Sequence, residues 1–517
     1  MPSKLHLLRS SMVVGLFSFL GSLTGILVEI SIAAHLGLSR SSDAFYIAYT
    51  IPYIITNLIS ATGQFSLVPF FSAFDVEARS GEIWRGFSYA INIVILGLAL
   101  IGIAGAALAP WLIRLIAPGF TVAQSTASAQ LARLLMFIII PAGVAEIFRS
   151  FLFSQHRFAL GSAAGFFRNV MVIGFILFGF RRYGDISIVM GYFTGYFAQL
   201  IILGGEVLWS FPVQYTLTAR GGGGAIRKLH GAGASQLLAA MGWQAVVLVE
   251  RVIASFLPPG TITALNYGLK IMSTISELVV GSVGTGSLPS LSRAVAQNAR
   301  AAALKITRDA VEISLFLITP IMVCCLLLPR PIMQLVFQRG SFSPGATDRM
   351  AVIFFFYCLS LLSFSAVRLM TYYLFAHHEM QAFLRISLLY YGGTAALDLV
   401  YVMVLHLGAK GIPLALLTSL TATCIVIYVQ DLASVRRVFE KAINILIGKA
   451  AVAALVAAGV IWMLRGWIQA PPRGLPLLLF LCAVCGAGCL AFAVVLAAWR
   501  AISFAQFMQL WQKPQSE

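Results

Sequence analysis

Residues 12–37 read MVVGLFSFLGSLTGILVEISIAAHLG, and this stretch decides the class of fold. It carries one acid, Glu29, and no lysine or arginine. It exceeds the roughly 20 residues with which a helix crosses a hydrocarbon core. The apolar centre of a cleavable export signal is only about 7–15 residues long. With Lys4 and Arg9 ahead of it, the run therefore reads as a retained first helix.

Runs of the same kind recur along the chain, at 44–74, 86–110, 127–153, 159–180, 187–212, 233–257, 262–292, 307–328, 349–376, 380–406, 411–430, 443–464 and 475–499. The reading is an all-α polytopic membrane protein of about fourteen transmembrane helices. Composition agrees: of 517 residues 60% are hydrophobic and 10% charged, where a soluble domain carries about 25% charged residues. The formal charge of +17 sits in short loops between apolar runs, with no soluble basic domain to hold a nucleic acid. The partners this implies are anionic membrane lipids. With the N-terminus in the cytoplasm, cytoplasmic segments hold about twice as many lysines and arginines as the opposite ones, which places both termini inside. The seven cysteines all lie in apolar runs and read as small packing residues. Neither a disulfide nor a metal is expected, and nothing names a protein partner.

The chain repeats itself. Gly63-Gln-Phe-Ser-Leu-Val-Pro-Phe-Phe-Ser-Ala matches Gly284-Thr-Gly-Ser-Leu-Pro-Ser-Leu-Ser-Arg-Ala. Arg114-Leu-Ile-Ala-Pro-Gly-Phe matches Gln334-Leu-Val-Phe-Gln-Arg-Gly-Ser-Phe, and Phe151-Leu-Phe-Ser-Gln-His matches Tyr373-Leu-Phe-Ala-His-His. The order and the offset hold throughout. Spans one to six thus look duplicated as seven to twelve, giving two pseudo-twofold-related six-helix lobes. An even number of spans per lobe makes the repeats parallel. The expected division is 1–215 as N-lobe, 216–232 as a glycine-rich cytoplasmic linker (Arg220-Gly-Gly-Gly-Gly-Ala-Ile-Arg-Lys), 233–438 as C-lobe, and 439–517 as two further helices and a tail. Pro69 and Pro289 recur in the repeat and predict bent second and eighth helices.

Ionisable groups inside spans are functional candidates by default. Those singled out are Glu29, Glu146, Lys270, Glu277 and Arg368, with Arg168 and Arg251 as further cations. Lys270 and Glu277 share a helix face. Glu146 and Arg368 hold corresponding places in the repeat and are expected to meet near the pseudo-twofold axis, as an ion pair or as a gating or substrate contact. Glu250, Thr394 and Asp398 offer oxygen ligands for a small cation such as sodium, or hydrogen-bonded carboxyls. Walker A, HExxH and nucleophile-elbow motifs are absent. That argues for a transporter without cofactor rather than an enzyme, driven by sodium or proton coupling or by the membrane potential.

The run Leu36-Gly-Leu-Ser-Arg-Ser-Ser-Asp-Ala-Phe-Tyr-Ile-Ala-Tyr-Thr-Ile-Pro52 resembles the start of the MurJ (MviN) family of lipid II flippases. So do Gly63-Gln-Phe-Ser66, Ile116-Ala-Pro-Gly-Phe120, Ser287-Leu-Pro-Ser-Leu-Ser292 and Phe337-Gln-Arg-Gly-Ser-Phe342. The resemblance runs through the first twelve spans. Its superfamily also holds Wzx-type polysaccharide flippases and MATE cation-coupled drug exporters, which are the alternative readings. The resemblance implies a central cationic cavity, a groove for a polyprenyl tail beside the last two helices, and an undecaprenyl-pyrophosphate-linked sugar as cargo, moved by alternating access in the inner membrane. It assigns Asp43, Lys270 and Arg368 to family cavity positions, and it places Ser22, Val28 and Thr56 where the family carries arginine.

Overall fold

The computed structural model describes residues 4–72, 81–217, 234–377, 379–430, 441–468, 471 and 474–499. Within these the chain is helical and contains no strand. Thirteen helices are long and apolar enough to cross a membrane, and up to fourteen if one bent pair counts as a single span. Helices satisfy every backbone group internally, which lipid demands. The all-α, many-span expectation holds. The glycine-rich stretch Arg220 to Lys228, His378 and the tail beyond 499 lie outside the described residues.

Packing divides the chain into two compact units. The first comprises residues up to Tyr267, with Arg339–Phe342 and Asp398–Leu405. It holds α1 (Lys4–Leu36), α2 (Arg40–Thr62), α3 (Val68–Ser72), α4 (Gly81–Ile116), α5 (Val122–Leu135), α6 (Ile139–Ser154), α7 (Phe158–Tyr183), α8 (Ile186–Ser210), α9 (Ala234–Ala254) and the start of α10 (Thr261–Ser276). The sequence division at 216–232 and the compact units differ here: α9 belongs to the first unit because it packs on α2. The densest packing joins α7 to α8 and α1 to α7. Gly191 and Gly195 of α8 permit it, since a Cβ on Gly195 would stand 2.8 Å from the Arg168 carbonyl oxygen. A second centre is aromatic: Phe71, Trp84, Phe87 and Phe151 are buried together, with Phe71 and Phe151 edge-on at 5.5 Å.

The second unit holds the rest of α10, α11 (Ser282–Ala296), α12 (Arg300–Leu327), α13 (Pro329–Phe337), α14 (Pro344–Leu359), α15 (Leu361–Ala376), α16 (Met380–Leu399), α17 (Gly411–Val429), α18 (Lys441–Trp467) and α19 (Leu475–Ala498). The last two helices pair with each other and lie on α12 and α13. Their seam buries Ala453, Ala457, Ile461, Val484 and Leu496 together with Leu328.

Several expected single spans are broken. The second span turns through a π-helical segment, Gly63–Leu67, between α2 and α3. Pro69 lacks an N–H for the carbonyl four residues back, and the wider turn falls there. The eighth span has a matching π turn, Glu277–Gly281, between α10 and α11. That turn precedes Pro289 by more than two helical turns, so the recurrent proline does not cause it. The run 349–376 is likewise two helices, α14 and α15, bent by 46°. No proline stands at that break either; Ser360 Oγ donates to the Tyr357 carbonyl at 2.6 Å, competing with the backbone.

Candidate functional site

One face of the first unit is knitted shut by loops. α2 starts in a capping box, in which Ser39 Oγ accepts from Ser42 N and Ser42 Oγ from Ser39 N. This places Asp43 in the first turn, 3% exposed. Its Oδ2 accepts from Gly260 N at 2.6 Å, and its Oδ1 from Thr263 N at 2.9 Å and Thr263 Oγ1 at 2.8 Å. Asp43 thus caps α10 from outside that helix and meets the positive end of its dipole. The expectation of a cavity carboxylate is corrected for this conformation: backbone donors occupy both oxygens. Beside it, the hydroxyls of Ser42 and Thr263 meet at 2.9 Å, and these two residues are 221 positions apart, the spacing of the repeat. Contact between equivalent positions is what a pseudo-twofold axis produces.

The neighbouring loops obey the same symmetry. Gly119 N donates to Ser255 Oγ at 3.0 Å, and Ser341 N donates to the Ala34 carbonyl at 2.7 Å. A Cβ on Gly119 would lie 2.4 Å from the Ser255 carbonyl oxygen, and one on Gly340 would lie 2.1 Å from that of Ala34. Gly119 and Gly340 are repeat equivalents, as are Ala34 and Ser255, so each half's third loop leans on the end of the other half's first span. Gly340 also has φ +55°, and Gly260, with φ +87°, presses on Leu38. These loops follow the first, third, seventh and ninth spans, so they share the face opposite the N-terminus.

Below this seal the interior of the first unit is phenolic. Tyr46 donates to the half-buried Glu29 and meets Tyr267 edge-on at 5.8 Å. Tyr49 lies 4.7 Å from Tyr192 and 5.8 Å from Tyr53, centroid to centroid. Arg168 sits 5.1 Å from the Tyr196 ring centre. Arg251, 9% exposed, donates to the Ile262 carbonyl at 3.5 Å and to Asn266 Oδ1 at 3.3 Å. Val28 and Thr56 are buried, and the Thr56 hydroxyl donates to the Tyr53 carbonyl at 2.9 Å. The tyrosines were missed by a reading centred on charge. Their spacing at 46, 49 and 53 on one helix face was the available signal.

Glu146 and Arg368 each find a partner within their own unit. Glu146 pairs with Arg149 at 2.5 Å, and a Cβ on Gly63 would stand 2.3 Å from its Oε1. Glu277 opens the second π turn and accepts from Arg368. Lys270 is half-buried one helical stretch away on α10, without an ion-pair partner among the described residues.

Of the three expected cation ligands, Glu250 and Asp398 are electrostatic neighbours, buried to 6% and 0% exposure. Both Asp398 oxygens accept no hydrogen bond. An orphaned buried carboxylate requires a proton or cation, and an all-oxygen donor pair suits a small hard ion. The Thr394 hydroxyl donates to the Tyr390 carbonyl at 2.8 Å. In the second unit, α12, α15, α17 and Ile447 of α18 line an apolar groove of about 470 Å³.

The family model described as lipid II flippase MurJ matches residues 32–505. The chain belongs to the MurJ family. A probable lipid II flippase MurJ of Thermotoga maritima is 25% identical over 461 residues, covering 89% of this chain and 91% of that protein. One from Rhizobium meliloti is 28% identical over 370 residues, covering 68% and 67%. Among solved structures, a lipid II flippase MurJ in an inward closed conformation superposes with a TM-score of 0.79 at 18% identity, covering 94% of this chain and 98% of that one. An inward-facing MATE family multidrug transporter of the MOP superfamily superposes at 0.69 with 11% identity, covering 81% and 96%. The MurJ-type fold is thus shared over nearly the whole chain.

Proposed function

We propose that this protein carries a polyprenyl-pyrophosphate-linked sugar of the lipid II kind across the bacterial inner membrane by alternating access, without covalent chemistry. Family membership supports the cargo. The observation that carries the mechanism is the loop seal around Asp43, Ser42 and Thr263. It consists of hydrogen bonds and glycine contacts, which can part and re-form. The loop charges put both termini in the cytoplasm, so the sealed face is extracytoplasmic and the cargo enters from inside. The apolar groove of the second unit suits a prenyl tail, while Lys270 and Arg368 offer cations to the pyrophosphate. Glu250 and Asp398 are the candidates for binding a proton or sodium ion that resets the carrier, with the membrane potential as the other drive.

Depletion in the host tests this directly. Lipid II is expected to accumulate on the cytoplasmic leaflet and cell-wall synthesis to stop. Loss of only a capsule or exopolysaccharide, with normal wall synthesis, would overturn the lipid II assignment.

A further inference from the structure

Arg168 is a membrane-embedded charge without an ion-pair partner among the described residues. Its depth is fixed by its neighbour: Asn169 Nδ2 donates to the Gly21 carbonyl at 3.1 Å and to Thr24 Oγ1 at 3.2 Å, which holds α7 against the middle of α1. On the other side the Arg168 stem packs on α8, where a Cβ on Gly195 would stand 3.0 Å from its Cγ. The guanidinium then rests 5.1 Å from the centre of the Tyr196 ring. Tyr49 and Tyr192, whose rings stand 4.7 Å apart, are the other phenols in electrostatic reach of the guanidinium. All these neighbours are neutral. No carboxylate among the described residues pairs with Arg168, and Glu29 of the same unit is engaged by Tyr46.

A guanidinium offers five N–H donors. The Tyr196 ring face leaves them open, and the side chain is half-buried rather than sealed. An intramembrane cation placed this way calls for an anion. The planar fork matches two phosphoryl oxygens at once, and the phenolic hydroxyls can donate to others. We propose that Arg168, with Tyr49 and Tyr196, forms a phosphate-binding subsite in the first unit that engages the lipid-linked cargo. The proposal rests on the flippase reading above and adds a residue set to it.

The test uses the purified full-length protein, with undecaprenyl pyrophosphate, undecaprenol and phosphatidylglycerol as probes and native mass spectrometry to measure binding. Arg168→Gln is expected to weaken undecaprenyl pyrophosphate at least tenfold and leave undecaprenol unchanged. Arg168→Lys keeps the charge but loses the fork, and is expected to bind at least threefold more weakly than wild type. A parallel loss of phosphatidylglycerol assigns the site to phosphate in general; loss of the pyrophosphate lipid alone assigns it to the precursor. Wild-type affinity in a folded Arg168→Gln protein overturns the subsite while leaving the flippase reading intact. If Arg168→Gln does not fold, wild-type affinity in Arg168→Lys overturns it. Failure of the wild type to bind undecaprenyl pyrophosphate removes the flippase reading and the subsite with it.

Discussion

Asp43 accepts three hydrogen bonds from the start of α10, two of them from backbone N–H groups. Asp43→Asn replaces one of its oxygens by an amide donor and leaves a buried N–H without a partner. Such a loss costs about 1–3 kcal/mol, so the melting temperature in detergent should fall; an unchanged melt would discredit the cap. Lys270 and Arg368 make a contrasting pair. Lys270→Ala removes a cation with no ion-pair partner among the described residues, and should abolish rescue of a depleted strain without lowering the melt. Arg368→Ala strands Glu277 and should lower both. Combining Arg368→Gln with Glu277→Gln is expected to restore the melt but not the rescue, and recovery of rescue would rule out a transport role for the cation. That these charges matter is legible in the sequence, because charge in an apolar run stands out. Which groups they pair with is not: Glu146 takes Arg149 one turn away, and Glu277 takes Arg368.

Helix breaks belong to the next scale. Two of the three π turns among the described residues stand in the second span of each half, beside Glu146 through Gly63 and at Glu277 itself. Gly63→Ala would drive a methyl to 2.3 Å from Glu146 Oε1. Overpacking of this kind costs about 1–3 kcal/mol. A reduced transport rate with Glu146 displaced from Arg149 is the expected outcome, and wild-type transport and melting together would refute a role for the close approach. The loop around Gly340 is tested differently. Gly340→Ala meets both an unfavourable φ and the Ala34 carbonyl oxygen at 2.1 Å, so the seal should loosen. A cysteine placed at Leu38 should then react faster with a membrane-impermeant thiol reagent added from outside. Equal labelling would mean that the glycine does not hold the loop closed. Sequence located the spans and, through Pro69 and Pro289, the two helices that carry the π turns, but not where the second turn falls, since an apolar run looks alike whether its helix is straight or bent. The bend between α14 and α15 has no proline to announce it.

At the scale of the whole molecule, the fourteen spans read from the sequence predict that the chain ends on the face where it begins. Reporter fusions at the two ends should therefore give the same cytoplasmic signal, and opposite signals would require another count or orientation. The length of apolar runs, the loop charges and the internal repeat were readable from the chain alone, because each is a property of neighbouring residues or of one segment compared with another. They determined a multi-pass helical protein of duplicated halves, and the family followed from short motifs in a fixed order. Only the tertiary structure decided that Asp43 caps a helix more than two hundred residues away, that Ser42 meets its own repeat equivalent, that α9 packs into the first unit, and that Arg168 stands among tyrosines with no carboxylate partner among the described residues. The reason is physical: burial in lipid is set locally by side-chain polarity, whereas a buried polar group takes whichever partner the folded chain brings within hydrogen-bonding distance.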